Sequence, residues 1–203
     1  MPEEIEEMVD VMFDLAGTTP PASYPFTLWA EILRLVPQLE NRKHAGIQPL
    51  RLPDHVQGAQ LHRRAKLILR CPAKLAEEVA ISLSGQPLSV EGTGLLLGRG
   101  KTRKLLPYPT LHAQMVAGAE DEILFMHDIE QQMRKLGISG KTICGKSHML
   151  GSHGDAIRGF SLVIHDLKAE ASLRLQYAGL GGARQYGFGI FIPYKLISGL
   201  DGE

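Results

Sequence analysis

The chain has 203 residues, 44% hydrophobic and 22% charged, enough apolar material for one ordinary domain or two small ones and too much for a disordered chain. No apolar run approaches the ~18 residues that span a bilayer, the start carries Glu3, Glu4, Glu6 and Glu7 rather than a basic signal-peptide segment, and Cys71 and Cys144 stand far apart without CxxC spacing, which argues against a disulfide framework or a zinc site. The formal net charge is zero but unevenly spread: residues 1–40 carry one basic and eight acidic side chains, residues 41–104 twelve and four, and the remainder nine and ten. The basic middle concentrates charge within a Debye length of ~8–10 Å, which attracts phosphate whatever the global sum. These features lead us to expect a protein of a reducing cytoplasm with no metal and no cofactor.

In chain order, Met8–Leu15 alternates as a strand with Val9, Val11, Phe13 and Leu15 on one face. Thr18-Thr19-Pro20-Pro21 breaks it. Ser23 suits an N-cap for a helix to Val36, with Phe26, Trp29, Leu33 and Val36 near one face, and Pro37 ends that helix. Ile47–Leu52 reads as a short strand and Ala59–Cys71 as a longer one, on which Arg63 faces opposite to Arg64 and Lys66. Ala73–Leu83 is a helix, and Leu88–Leu106 a glycine-interrupted strand region. The order β-α-β-β-α-β then recurs. Leu111–Ala117 is a strand, and Asp121–Leu136 is a helix with apolar positions Ile123, Leu124, Met126, Ile129 and Met133, stopped by Gly137. Lys141–Cys144 and Lys146–Leu150 are strand candidates before a turn at Gly151–Gly154. Ala156–His165 is a strand, Ala169–Ala178 a short helix, and Phe188–Ile192 closes the set. The expectation is an α+β chain of two tandem ferredoxin-like βαββαβ domains, residues 1–107 and 108–203.

Between the last helix and last strand lies Gly179-Leu180-Gly181-Gly182-Ala183-Arg184-Gln185-Tyr186-Gly187-Phe188-Gly189, five glycines within eleven residues. A dinucleotide fingerprint needs strand, glycines, then helix, and a Walker loop needs Gly-Lys-Ser/Thr, so both readings fail on context. What remains is a backbone that can approach another chain closely and turn successive N–H groups toward an anion, with Arg184 available for charge-assisted bonds to phosphate. The plainer alternative is a tight helix-to-strand connection.

This loop and its closing strand, within SLRLQYAGLGGARQYGFGIFIPYK, resemble the repeat-associated RNA-binding (RAMP) superfamily and, within it, the CRISPR-associated endoribonucleases that process precursor CRISPR RNA. The start FDLAGTTPPASYPFTLWAEI, the segment Gly46–Leu50 and the arginine-rich stretch after it extend the resemblance over nearly the whole chain. The resemblance implies metal-independent cleavage of a repeat by attack of a ribose 2′-OH on the adjacent phosphate, leaving a 2′,3′-cyclic phosphate and a 5′-hydroxyl. It also implies partners: the repeat hairpin, to which the enzyme stays bound, and the other subunits of an interference complex. Members of this family often carry a catalytic histidine close to the first helix. This sequence has Ser23-Tyr24-Pro25-Phe26 there, and the nearest histidine is His44.

The chemistry needs a base for the 2′-OH, an acid for the leaving oxygen and donors for the phosphorane-like charge. We expect His44 as acid/base, Tyr24 as a positioning or proton-donating partner, and Lys43, Arg42 or Arg51 as charge stabilisers. His55 is the fallback catalyst. His148 and His153 flank the Gly151 turn and are placed to touch RNA beside Lys146, without carboxylate or cysteine partners that would make a metal site. His112, His127 and His165 read as structural. Two basic clusters, Arg63/Arg64/Lys66 and Arg99/Lys101/Arg103/Lys104, are expected to line a cleft between the domains and track the phosphate backbone together with Gly179, Gly181, Gly182 and Arg184. The strands Ile47–Leu52 and Ala59–Cys71 contain no aromatic residue, so base stacking on an RNA-recognition sheet is not expected. The alternatives are a non-catalytic repeat-binding subunit and a ferredoxin-like pair binding a small phosphate ligand, which would not need a dozen cations.

Overall fold

Alternation along β1 (Met8–Gly17) buries Val9, Val11, Phe13 and Leu15 on one face and puts Asp10, Met12, Asp14 and Ala16 on the other. The structure is a computed structural model that describes residues 5–52, 57–151 and 155–194. After β1 come α1 (Tyr24–Leu35), β2 (Gly46–Ile47), β3 (Lys66–Pro72), α2 (Ala76–Leu83) and three strands, β4 (Pro87–Val90), β5 (Thr93–Leu97) and β6 (Lys101–Lys104). The sheet runs β2-β3-β1-β5-β4, with β6 also on β1, and every pairing is antiparallel. One edge of β1 is shared: Val9–Met12 pair with β6, while Leu15–Gly17 pair with β5. This is the ferredoxin-like strand order with its last strand divided in two. The division falls at Gly98–Gly100, where the Gly98 amide donates to the Asp14 carbonyl at 2.8 Å and a methyl group at Gly100 would press on Phe13 and Ala80.

The second unit repeats the plan with β7 (Leu111–Ala117), α3 (Glu122–Lys135), β8 (Lys141–Leu150), β9 (Ile157–His165), α4 (Ala169–Ala178) and β10 (Ile192–Pro193), in the order β10-β7-β9-β8. Each sheet packs its own helices over its own core. Phe13, Leu28, Ile32, Leu67, Leu69 and Val79 lie in the first; Val116, Phe125, Ile129, Phe160, Leu162 and Leu175 lie in the second. The chain is two tandem ferredoxin-like units. No helix among the described residues is long and apolar enough to cross a membrane.

Several expected elements shift, each for a local reason. The long strand at Ala59–Cys71 is only Lys66–Pro72. Upstream of it the chain turns, with the amides of Arg64 and Ala65 donating to Nδ1 and the carbonyl of His62, so Arg63 and Arg64 sit on an exposed turn and do not alternate across a sheet. The strand expected at Ile47–Leu52 is two residues long, because Pro49 lacks a donor and the Leu50 amide bonds a side chain instead. Leu88–Leu106 is three strands, the first two joined by Glu91-Gly92, both at positive φ as a two-residue hairpin turn requires. The strand expected at Phe188–Ile192 is Ile192–Pro193. In α3 the buried stripe is Phe125, Ile129 and Met133, leaving Ile123 and Leu124 exposed. Ser23 holds the N-cap position of α1, yet its hydroxyl donates to Glu91 at 2.7 Å and caps nothing. His55, His153 and part of the Gly151–Gly154 turn lie outside the described residues.

Candidate functional site

The glycine loop is wrapped around its own arginine. Arg184 is 6% exposed. Its Nε and Nη2 donate to the Ala178 carbonyl at 3.2 and 2.8 Å, and Nη1 donates to Leu180 at 2.7 Å, with longer contacts to Gly182 and Phe188. Gly179 and Gly189, at φ +62° and +66°, flank the guanidinium so closely that a methyl group at either would overlap it. These glycines therefore serve the packing of an internal cation as well as the turn. The expectation that Arg184 reaches a phosphate is corrected, because its donors are spent on the backbone that encloses it. No carboxylate pairs with it among the described residues. Burial, and then the neighbouring Arg70, lower its pKa to about 10, which still leaves it charged at neutral pH. Further along the loop, Gly182 is exposed, and the amides of Gly182 and Ala183 have no hydrogen-bond partner among the described residues. The Gly181 amide donates to Gln132 of α3 at 2.8 Å.

The loop belongs to the second unit but rests on the first. Gly46 of β2 packs so tightly on the backbone of Arg184 that a side chain there would collide with its carbonyl. Phe26 of α1 meets Tyr186 with ring centroids 4.8 Å apart. Phe26 therefore faces the loop and not the core stripe, which Leu28, Trp29 and Ile32 fill. Half-buried His44 stands two residues before Gly46 in the chain. Tyr24 accepts the Leu50 amide at 2.7 Å and so anchors the far end of the segment that begins at His44. Its ring is buried, and desolvation pushes its hydroxyl up to about 12. Burial of the ring and the bond from the Leu50 amide argue against the proton-donating role expected of Tyr24.

Beneath this contact lies a buried ion pair absent from the sequence reading. Arg70 and Asp10, 2% and 1% exposed, make a bidentate pair at 2.9 and 3.2 Å. Gln48 donates to the same carboxylate at 3.0 Å, and Arg103 reaches it from the surface at 3.4 Å. The remaining Arg70 nitrogen crosses to the second unit, donating to the carbonyls of Phe191 at 2.7 Å and Gln176 at 3.3 Å. Register explains the convergence, since Arg103, Asp10, Arg70 and Gly46 are cross-strand neighbours in one row. A signal existed in the sequence: Asp10 and Arg70 are lone charges set between residues that the alternation buries.

Of the other expected cations, Lys43, Arg51, Arg63, Arg64, Lys66, Arg99, Lys101, Arg103 and Lys104 are all exposed. Lys101 and Arg103 share the open face of the first sheet with Lys66, which pairs with Asp14 at 2.5 Å. Arg103 and Arg70 both reach Asp10, and Arg70 continues to Phe191 and Gln176 of the second unit. Lys146 and His148 lie on β8, the edge strand of the second sheet. Burial, with Lys146 nearby, lowers the His148 pKa, and burial together with His148 lowers that of His112. Among the described residues, no three His, Cys, Asp or Glu side chains are grouped to hold a metal ion.

Comparison with known proteins sets this geometry in a family. The family model described as Cas6 Crispr matches residues 9–196. The chain is 32% identical over 187 residues to the CRISPR-associated endonuclease Cas6 of Myxococcus xanthus (strain DK1622), covering 91% of this chain and 81% of that one. Among solved structures, a RAMP protein described as binding different RNA substrates superposes with a TM-score of 0.67 at 15% identity, over 90% of this chain and 98% of the other. A Cas6-related protein from Pyrococcus furiosus gives 0.66 at 12% identity, over 91% and 98%. At such identities the two structures speak to the fold.

Proposed function

The chain belongs to the Cas6 family of CRISPR-associated proteins, and from that premise we infer that it is an endoribonuclease that binds CRISPR repeat RNA across the seam of its two units and cleaves it. The observation that carries this reading is the packing of Gly46 against the Arg184 backbone, which brings a histidine-bearing loop of one unit to the glycine loop of the other. In this reading the amides of Gly182 and Ala183 hold a phosphate, which does not touch the desolvated cation within the loop. Arg184 then acts from below, through a medium of low dielectric, while the loop backbone makes the contact. Lys101, Arg103 and Lys104 extend the positive field along the first sheet, and Lys43 and Arg51 flank His44 in the chain.

In this reading the 2′-OH of the nucleotide beside that phosphate loses its proton to His44. The phosphorus–5′-oxygen bond breaks as the 2′-oxygen–phosphorus bond forms, the departing 5′-oxygen takes its proton from solvent water, and the products are a 2′,3′-cyclic phosphate, a 5′-hydroxyl and a protonated His44 that returns its proton to solvent. Histidine suits the proton transfer because its ordinary pKa of ~6.5 lies near working pH. Tyr24 sets the loop through Leu50 and takes no proton. Lys146 and His148, on the edge strand of the second sheet, are assigned to the flank of the hairpin. The product stays bound and is handed to the other subunits of an effector complex.

A second reading has one observation in its favour. Burial of Tyr24 leaves His44 as the remaining titratable member of the expected pair, which suits a slow enzyme or a subunit that only binds. A labelled repeat RNA separates the two. Cleavage that persists in EDTA and disappears with a 2′-deoxy nucleotide at the scissile position supports the nuclease; tight binding without cleavage establishes the binding subunit.

A further inference from the structure

We propose that the open face of the first sheet holds a subsite for a single unpaired nucleotide, in a groove of about 340 Å³ floored by Ala16 and Leu96 and rimmed by Gln60, His62 and Arg63. The proposal rests on the RNA-binding reading and adds to it a place for one base. The floor follows from register. Ala16 and Leu96 are cross-strand partners, while Leu95 and Leu97 turn into the core, so Leu96 faces outward and is 51% exposed. An apolar side chain among polar neighbours offers a surface for the face of a planar ring.

The rim is fixed by backbone bonds. Residues 58–61 run along the end of β1, with the amides of Gly58, Thr19 and Leu61 donating to Thr19, Ala59 and Gly17 at 3.0, 2.7 and 2.9 Å, and Gln60 bridges Thr18. His62 closes the turn, its Nδ1 accepting the Arg64 amide at 3.1 Å, which leaves Nε2 as the ring's donor. The Gln60 amide offers both a donor and an acceptor, the mixed pattern that the edge of a base presents. Asp14 forms the opposite wall with its carboxylate bound to Lys66.

Charge selects a nucleotide over an uncharged apolar ligand. The Asp14–Lys66 pair is neutral, Arg63 has no ion pair among the described residues, and Lys101 lies close enough to act on Asp14. The groove therefore carries net positive charge beside an apolar floor. Along β1 it lies six residues beyond Asp10, or ~20 Å at ~3.3 Å per residue. A strand leaving the seam reaches it by following the face that bears Arg103, Lys101 and Lys66.

The test uses the full chain and two RNAs, the repeat hairpin alone and the hairpin with unpaired flanks. The flanked RNA carries 2-aminopurine at one flank position at a time. One position should change fluorescence on binding, and Leu96→Glu should abolish that change and weaken binding of the flanked RNA by about 5–10-fold relative to the hairpin. Leu96→Met, which keeps the floor apolar, should restore both. Equal losses for the two RNAs, or none for either, would overturn the subsite and leave the RNA-binding reading standing. If the unaltered protein bound neither RNA, both would fall. Unchanged melting curves for the Leu96 variants confirm that the fold is intact, as expected for an exposed position.

Discussion

Arg70 donates to the carbonyl oxygen of Phe191 at 2.7 Å across 121 positions of chain. That bond joins β3 of the first unit to the segment after the glycine loop, while the same guanidinium holds Asp10 within its own sheet. The angle between the units is thus tied to a buried ion pair, and several outcomes follow from it.

Arg70→Met should destabilise the protein by roughly 3–5 kcal/mol, because Asp10 loses its bidentate partner and keeps only Gln48 and the single, longer bond from Arg103. Pairing that change with Asp10→Leu removes the stranded charge and should recover much of the loss. Urea melts of the two single variants and the double variant measure the coupling. Additive losses would show that the pair does not act as a unit.

Arg184→Leu leaves the carbonyls of Ala178 and Leu180 without donors, at about 1–3 kcal/mol for each unsatisfied group. The loop loses its filling, and RNA affinity should fall. The slope of log K against log salt should stay the same, because Arg184 neutralises no phosphate directly. Lys101→Ala and Arg63→Ala should each lower that slope by about 0.7–0.9. Binding isotherms at four salt concentrations distinguish the internal cation from the surface ones.

His44→Ala should reduce the single-turnover cleavage rate by ~10²-fold or more, with RNA binding near normal, the ordinary size of a lost acid–base group. An unchanged rate removes His44 from the chemistry.

Tyr24→Phe keeps the buried ring and deprives the Leu50 amide of its acceptor. The cleavage rate should fall modestly, with no change in the alkaline limb of its pH profile, because a hydroxyl raised to about 12 does not titrate in the assay range. Stability carries a separate signature. The unfolded tyrosine ionises near pH 10 while the folded one remains protonated toward 12, so the contribution of Tyr24 is complete below pH 10 and is lost as pH rises through 12. Stability curves for the two proteins should therefore change their spacing above pH 10. Parallel curves would show that Tyr24 is not buried in solution.

Periodicity and punctuation carried the element order, because alternating and helical apolar patterns are local properties that each segment expresses alone. The doubled β-α-β-β-α-β order, the α1 and α3 boundaries and the glycine loop were legible in this way. Arg184 was legible as a residue but not as a role: the same guanidinium can reach outward to phosphate or inward to carbonyls, and only the packing of Gly179 and Gly189 against it decides. Arg63 and Arg64 carried an alternating pattern that the hydrogen bonds to His62 override. The tertiary structure alone decided that Asp10, Arg70 and Phe191 meet, and that Gly46 packs on the backbone of Arg184. Such contacts join residues distant in the chain, and whether their attraction and hydrogen bonds offset the cost of desolvating them depends on how they pack together, which no single segment records.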